Sequence, residues 1–294
     1  MVKQSLPKLR VEMEWYADQE RIWRERDYLQ LVDEWFPGNV PSVLFDDKEA
    51  YILAIAEVTD ATLWKTVLMA GQCDLATACR AGELLGQIHS RSSGRDEVAE
   101  QFQRKANRSE DSFEQLRIDP YWRTVAHRHP DLAPAIEQII AAMEAEPLAL
   151  VHGDYSPKNI FVKTNGDLVL LDAEVAHWGD PTFDVAFCLN HFLLKAIYHG
   201  PNGAAFVHGA EAFWAAYQQA AGGGQLLGGV TARLPGQLAA LFLARVDGKS
   251  PVEYLVGDEA KQAAVRQVAR RALLHYPQTN LTTLLTDVRQ ACHT

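Results

Sequence analysis

The stretch VHGDYSPKNIFVKTNGDLVLLDAEVAHWGDPTFD, residues 151–184, decides the fold. Much of it reads as buried strand, yet Asp154, Asn159, Asp172 and Glu174 punctuate it. Acids this close to a core are costly to desolvate unless something pairs with them. IFVK and LVLLD are two strands joined by Thr164-Asn165-Gly166-Asp167. Asn-Gly between apolar runs marks a hairpin, because both residues tolerate positive φ. Asp154 follows the strand LALVH into a loop, and Asn159 stands five residues later at the start of the hairpin. Asp172 ends the second hairpin strand, so the hairpin folds Asn159 and Asp172 toward each other. Asp172 and Glu174 are two apart and in extended chain point the same way. Three acids and an amide are therefore expected at one mouth. Such hard oxygen donors suit Mg2+, which commonly sits between carboxylates and phosphates.

The chain around this stretch has 294 residues, 48% of them hydrophobic, enough for a sizeable core in one large domain or two lobes. A formal net charge of -10 argues against a non-specific nucleic-acid binder, which needs a basic face. An acidic surface favours a cationic substrate, although net charge alone carries little weight. Cys73, Cys79, Cys188 and Cys292 form no C-x-x-C pair and read as free thiols of a reducing compartment. No N-terminal apolar stretch resembles a signal peptide, and no apolar run approaches the ~18 residues of a membrane span. The expectation is a soluble cytoplasmic protein with neither nucleic acid nor membrane as partner.

Upstream, VKQSL reads as a short strand. Residues 11–35 lack Gly and Pro and read as one long helix, with Trp15, Ile22, Leu29 and Val32 near one face. Pro37-Gly38-Asn39 breaks it, and VPSVLFDD and AYILAIAEV follow as strands. Residues 72–146 are mainly helical. CDLATACRAGELLGQIHS is one helix stopping near Ser92-Ser93-Gly94, with further pieces in RTVAHRHP and PAIEQIIAAMEAE. Downstream, Asp180-Pro181 has the form of an N-cap followed by Pro at the first helical position. From Thr182 onward the chain reads as helices with one Gly-rich loop, AGGGQLLGG. The fold class is α+β: a small mixed lobe over residues 1–58, then a mainly helical lobe with an embedded hairpin over residues 59–294.

The protein-kinase template shares this spacing. There an Asp accepts the substrate hydroxyl proton, while a following Asn and a later Asp hold the metals on the nucleotide phosphates. On that template Asp154 is the base, with Asn159 and Asp172 as metal ligands and Glu174 beside them. HGDYSPKN, followed by LLDAE and GDPTFDVAF, resembles the aminoglycoside phosphotransferase superfamily, in which His-Gly-Asp replaces the His-Arg-Asp of protein kinases. The resemblance runs from Lys3 to the C-terminal helices. It implies a bilobal protein-kinase-like fold. It also implies ATP- and Mg2+-dependent transfer of the γ-phosphate to a hydroxyl of a small molecule: a sugar, an amino alcohol or an aminoglycoside-like compound. His152 and Asp184 are implied to brace the catalytic loop from below. Asp172-Ala173-Glu174 resembles the Asp-x-Glu of methylthioribose kinases more than the Asp-x-Gly usual in aminoglycoside kinases.

The same resemblance makes Lys3 the phosphate-pairing lysine and Glu25 its helix partner, with Glu20 as second choice. It makes AIAEV, residues 54–58, the hinge whose backbone meets adenine near Glu57. Only Met1 and Val2 precede Lys3, where the family places two strands and a phosphate-covering loop. The expectation is thus a truncated N-terminal lobe with weakened ATP binding. The alternative is a non-catalytic kinase-like binding or scaffold protein; the truncation favours it, and the intact Asp154, Asn159 and Asp172 oppose it. In ARVDGKSPVEYL, Arg245 and Lys249 either face a substrate or phosphate across the cleft or decorate a solvated helix end. Gly248-Lys249-Ser250 is no P-loop, because the required first Gly would fall at Leu243 in a helix-like run. His127 and His129 lack further metal ligands nearby.

Overall fold

The computed structural model describes residues 1–8 and 15–293. β1 (Val2–Gln4), β2 (Val43–Asp47) and β3 (Ile52–Ile55) form an antiparallel sheet with β3 in the middle and Lys3 opposite Leu53. α1 (Arg21–Trp35) packs against β2 and β3. Ile22, Glu25, Tyr28, Leu29, Val32 and Trp35 make its buried stripe. The helix expected from residue 11 is therefore shorter. Residues 15–20 are not helical, and residues 11–14 lie outside the described residues. Tertiary contacts override helix propensity there. Trp15 packs with Ala17, Leu116 and Val175, and the Ala17 N–H donates to the Pro7 carbonyl at 3.0 Å.

The chain then leaves this sheet. The later strands are β4 (Ala61–Leu63), β5 (Ala149–Val151), β6 (Ile160–Lys163), β7 (Leu168–Leu170) and β8 (His177–Gly179). β6 and β7 are the hairpin, with Ile160 opposite Leu170 and Val162 opposite Leu168. β4 extends the hairpin along β6, and β8 pairs with β5. At three residues each, β4 and β8 are too short to show an alternating pattern, which is why the periodicity passes over them.

The body is helical: α2 (Trp64–Met69), α3 (Leu75–Ser92), α4 (Asp96–Gln101), α5 (Thr124–Arg128), α6 (Ala133–Glu144), α7 (Thr182–His199), α8 (Ala204–Ala221), α9 (Gly224–Asp247), α10 (Glu259–Leu274) and α11 (Leu281–Ala291). Asp74 caps α3 by accepting from the backbone of Ala76 and Thr77. α3 and α8 pack very closely, because Gly82 and Gly86 present no side chain. A Cβ at Gly82 would lie 2.1 Å from the Phe213 carbonyl oxygen. α7 is buried on every side from Thr182 to Ile197, as befits an apolar central helix. Residues Glu114–Arg123 wind as a wide π-helix around Pro120 and run into α5.

Two expectations are corrected here. Gly222 and Gly223 break the chain, but Gly224 already begins α9, and Gly228 and Gly229 are helical. Burial of Leu226, Val230 and Leu234 on one face outweighs the poor helix propensity of glycine. By length and composition α9 also has an apolar window long enough to cross a membrane. In the fold 67% of that window is buried against other helices, so it serves as a core element.

Candidate active site

The Asp154 loop is fixed from beneath. Asp184, in the first turn of α7, is fully buried. Its carboxylate accepts from the backbone N–H of His152 at 2.6 Å and of Gly153 at 2.8 Å. His89 of α3 reaches the same carboxylate through Nε2 at 3.3 Å, while its Nδ1 lies 3.0 Å from the Tyr217 hydroxyl of α8. Burial pushes the Asp184 carboxyl up, but the His89 hydrogen bond and the nearby His89 and His152 rings outweigh it and hold it below the ordinary value. His152 is buried, and its Nδ1 accepts from the Asp154 N–H at 3.2 Å. Gly153 has φ +78, and a Cβ there would lie 2.7 Å from Val175 Cγ2 and 2.8 Å from the Val175 oxygen. Only glycine combines that conformation with that approach.

This places Asp154 with 2% exposure at the end of a rigid turn. Its Oδ2 is held by Lys158 Nζ at 2.8 Å and by Arg117 Nη2 at 3.0 Å. Arg117 also donates to the Gly153 carbonyl at 2.7 Å. Asp154 Oδ1 is buried and has no hydrogen-bond partner among the described residues. The Asn159 amide donates from Nδ2 to the Asp154 carbonyl at 3.0 Å, so its own oxygen remains as an acceptor.

A second cluster joins the first sheet to the end of the hairpin. Lys3 Nζ lies 2.7 Å from both oxygens of Glu25 and 2.7 Å from Asp172 Oδ1. Burial works against the Lys3 ammonium, but Asp172 and Glu25 overcome it and raise its pKa. Burial also works against the Asp172 carboxylate, yet Lys3 in first place holds it down at about 2. Glu25, only 1% exposed, is pushed up by burial against the pull of Lys3, with the Asp172 charge adding to the rise. With two carboxylates on one ammonium, the more exposed Asp172 keeps the charge and the deeper Glu25 is the weaker acid.

Asp172 is not extended: its φ is +65. The alternating-strand argument that aimed Asp172 and Glu174 the same way therefore fails at its first residue. Glu174 Oε2 instead accepts from Arg21 Nε at 2.9 Å. The two carboxylates still share one field, because burial and then the Asp172 charge raise the Glu174 pKa. Among the described residues no group of three His, Cys, Asp or Glu side chains is close enough to hold a metal ion. The convergence of three acids at one mouth is thus corrected. Asp154 faces Arg117 and Lys158, Asp172 faces Lys3, and Glu174 faces Arg21.

The remaining expected residues are spread out. Glu57 is exposed, between β3 and β4. Lys249 pairs with Asp119 at 2.7 Å. Arg245 is no solvated helix end: it is 8% exposed, and its Nη1 donates to the Tyr121 hydroxyl at 3.2 Å and to the Ser250 carbonyl. Arg21, His89, Arg117 and Lys158 were not singled out from sequence. Arg21 stands one turn before Glu25 on the same buried face of α1, and Lys158 lies inside the quoted motif, so both left a signal. Arg117 comes from the π-helix, which has no periodic signature.

The family model described as "Phosphotransferase enzyme family" matches residues 12–226. The methylthioribose kinase of Yersinia enterocolitica serotype O:8 / biotype 1B is 27% identical over 222 residues, covering 66% of this chain and 54% of that protein. The methylthioribose kinase of Pectobacterium carotovorum subsp. carotovorum is 25% identical over 222 residues, with the same coverage of 66% and 54%. The chain spans about half the length of these curated relatives. Among solved structures, an amicoumacin kinase aligns with a TM-score of 0.56 at 13% identity, covering 91% of this chain and 88% of that one. A choline/ethanolamine kinase family protein from Mesorhizobium loti aligns with a TM-score of 0.51 at 17% identity, covering 92% and 84%. At such identities the likeness is one of fold, and the fold is kinase-like. The family match takes in most of the chain, from before α1 through the Asp154 loop and the hairpin into the start of α9, and the chain belongs to the phosphotransferase enzyme family.

Proposed function

We propose that the protein is an ATP- and Mg2+-dependent phosphotransferase acting on a hydroxyl of a small molecule, with its nucleotide-binding lobe in residues 1–58 and its catalytic lobe in residues 59–294. One observation carries this reading: Asp154 is buried, clamped through Oδ2 by Lys158 and Arg117, and at Oδ1 has no partner among the described residues. A carboxylate held through one oxygen, with the other buried and unpartnered among the described residues, is suited to receive a proton at a fixed point. Support comes from the relatives named as methylthioribose kinases and from a fold neighbour captured with AMP-PNP and Ca2+.

In this reading the substrate hydroxyl donates to Asp154 Oδ1. The hydroxyl oxygen attacks the γ-phosphorus, the bond to the β–γ bridging oxygen breaks, and the proton passes to Asp154. Lys3, braced by Glu25 and Asp172, meets the nucleotide phosphates. The stretch around Glu57 meets adenine. Asn159, Asp172 and Glu174 are the hard oxygen donors that would hold Mg2+. Their oxygens suit it by donor type, and binding it would require Asp172 and Glu174 to share their charge between the metal and their present partners, Lys3 and Arg21. When bound, the metal neutralises charge on the phosphates. His152 and Asp184 keep the loop in place, and Arg21 keeps Glu174 in place.

The test is ATP consumption by the purified chain against a panel of sugars, amino alcohols, hydroxy acids, sugar phosphates and aminoglycosides, with Mg2+ and with EDTA. A thermal-shift series with MgATP runs beside it. Mg2+-dependent consumption with at least one acceptor is expected. No thermal shift and no consumption with any acceptor would remove the proposal.

A further inference from the structure

Arg21, Arg117, Lys195 and Arg245 are the buried Lys and Arg side chains among the described residues. Arg21 faces Glu174 and Arg117 faces Asp154. Lys195 and Arg245 have no carboxylate within ion-pair distance among the described residues. Lys195 Nζ has the His191 carbonyl at 3.4 Å and the ring of Tyr254 at 5.1 Å. Arg245 uses Nη1 on Tyr121 and Ser250, while its Nε has no partner among the described residues. A buried cation without a counter-charge is costly, and two of them in one place are costlier.

The two belong to one wall that leads from Asp154. The Arg117 guanidinium, on Asp154, lies 5.9 Å from the centre of the Tyr121 ring, and that of Arg245 lies 5.4 Å from it. Tyr121 stacks on Phe187 at 6.2 Å, and Phe187 meets His191 edge-on at 5.3 Å. His191 is 6% exposed, and neither its Nε2 nor the Tyr254 hydroxyl has a hydrogen-bond partner among the described residues. Burial, then Lys195, Arg245, Lys158 and Lys65, hold the His191 ring well below its ordinary pKa. Burial, Lys65 and Arg245 push Lys195 down to about 7, with Glu253 and Cys188 opposing. Glu253 is itself paired with Lys65. In a chain of net charge -10, this wall gathers positive charge and holds buried polar atoms with no hydrogen-bond partner among the described residues.

We propose that the acceptor carries a carboxylate or phosphate group, held by Arg245 and Lys195, while its hydroxyl reaches Asp154 Oδ1. This deepens the phosphotransfer reading above and rests on it. It turns the preference for a cationic substrate, drawn from net charge, into its opposite. Cationic amines are repelled from this wall, and neutral sugars leave its charges unpaired.

The test uses calorimetry on the full chain with gluconate, glycerol phosphate, ribose and choline, and ATP consumption with the same four compounds. Comparing gluconate with glycerol phosphate separates a carboxylate from a phosphate anchor. At least one of these anions is expected to bind. Arg245→Gln and Lys195→Met should each weaken it by about tenfold to hundredfold, the loss of one charge-assisted contact. Arg245→Lys, which keeps the charge, should retain most of the affinity, and MgATP affinity should stay unchanged in all three. Neither anion binding at millimolar concentration, or both variants binding anions as well as the parent, overturns the inference. Anion binding lost in both variants, with no MgATP thermal shift and no ATP consumed for any compound of the wider panel, leaves the anion site standing and removes the phosphotransfer reading. ATP consumption with ribose or choline, without anion binding, does the reverse.

Discussion

Gly153→Ala tests whether the Asp154 loop is shaped as described. Two terms add. An alanine at φ +78 sits in the left-handed region, at a cost of ~1–2 kcal/mol. Its Cβ would also lie 2.7 Å from Val175 Cγ2 and 2.8 Å from the Val175 oxygen. That backbone oxygen cannot rotate away, so the overlap adds ~1–3 kcal/mol. The sum is ~2–5 kcal/mol. Gly38→Ala isolates the first term, since Gly38 has φ +86 and no atom of the described residues within 4 Å of the added carbon. Urea unfolding of both variants should therefore show Gly153→Ala less stable than Gly38→Ala by ~1–3 kcal/mol. Adding Val175→Ala should recover only part of that gap, because the carbonyl contact remains. Turnover should fall ~10²-fold in Gly153→Ala, since Asp154 follows directly and a shift of about 1 Å suffices. Equal stability losses in the two glycine variants would refute the close passage of residues 152–154 over Val175.

Three further outcomes are expected. Asp154→Asn should lower turnover by ~10²–10⁴-fold with MgATP affinity retained; near-normal turnover on a confirmed acceptor would reassign the base. Asp184→Asn should cost ~1.5–3 kcal/mol in urea unfolding at neutral pH, since the amide cannot accept from the His152 N–H, the Gly153 N–H and His89 as the carboxylate does. Because the folded pKa of Asp184 is depressed, its contribution is present above the ordinary value of 3.8 and is lost as pH falls through the lower folded value. The stability gap between parent and variant should therefore close in strong acid, and a gap that widens there would contradict the assignment. Glu174→Gln should raise the Mg2+ concentration for half-maximal activity; an unchanged titration would confine Glu174 to its contact with Arg21.

The hairpin was legible because its turn chemistry and apolar arms agree, and α3 because Asp74 and the Ser92-Ser93-Gly94 stop bracket one apolar stripe. The start of α1 was not legible, since residues 15–20 have helical composition and their irregular course is set by partners elsewhere in the chain. Lys3, Glu25, Asp154, Asn159 and Asp172 stood out through motif spacing. Their counter-charges did not, because Arg117 and Arg21 meet their acids across 37 and 153 residues, and no local pattern encodes such distant pairs. His89 was hidden for another reason: it falls on the buried stripe of α3, where one polar residue among alanines and leucines says nothing of what it faces. The left-handed turn at Asp172 likewise has no glycine to announce it.

The glycine seam between α3 and α8 sets more than a packing distance. His89 lies one turn beyond Gly86 on α3, and its hydroxyl partner Tyr217 is the residue whose carbonyl crowds Gly86. The imidazole is thus gripped by two helices and in turn grips Asp184, on which the loop backbone hangs. The seam works as a gauge block: its thickness is transmitted through one ring to the place where Asp154 stands. Residues 151–184 transplanted into another scaffold would keep their sequence and lose their calibration, unless two helices at the same separation came with them. Natural variation at Gly82, Gly86 or Tyr217 is accordingly a way to retune the reaction centre without touching any residue that meets a substrate.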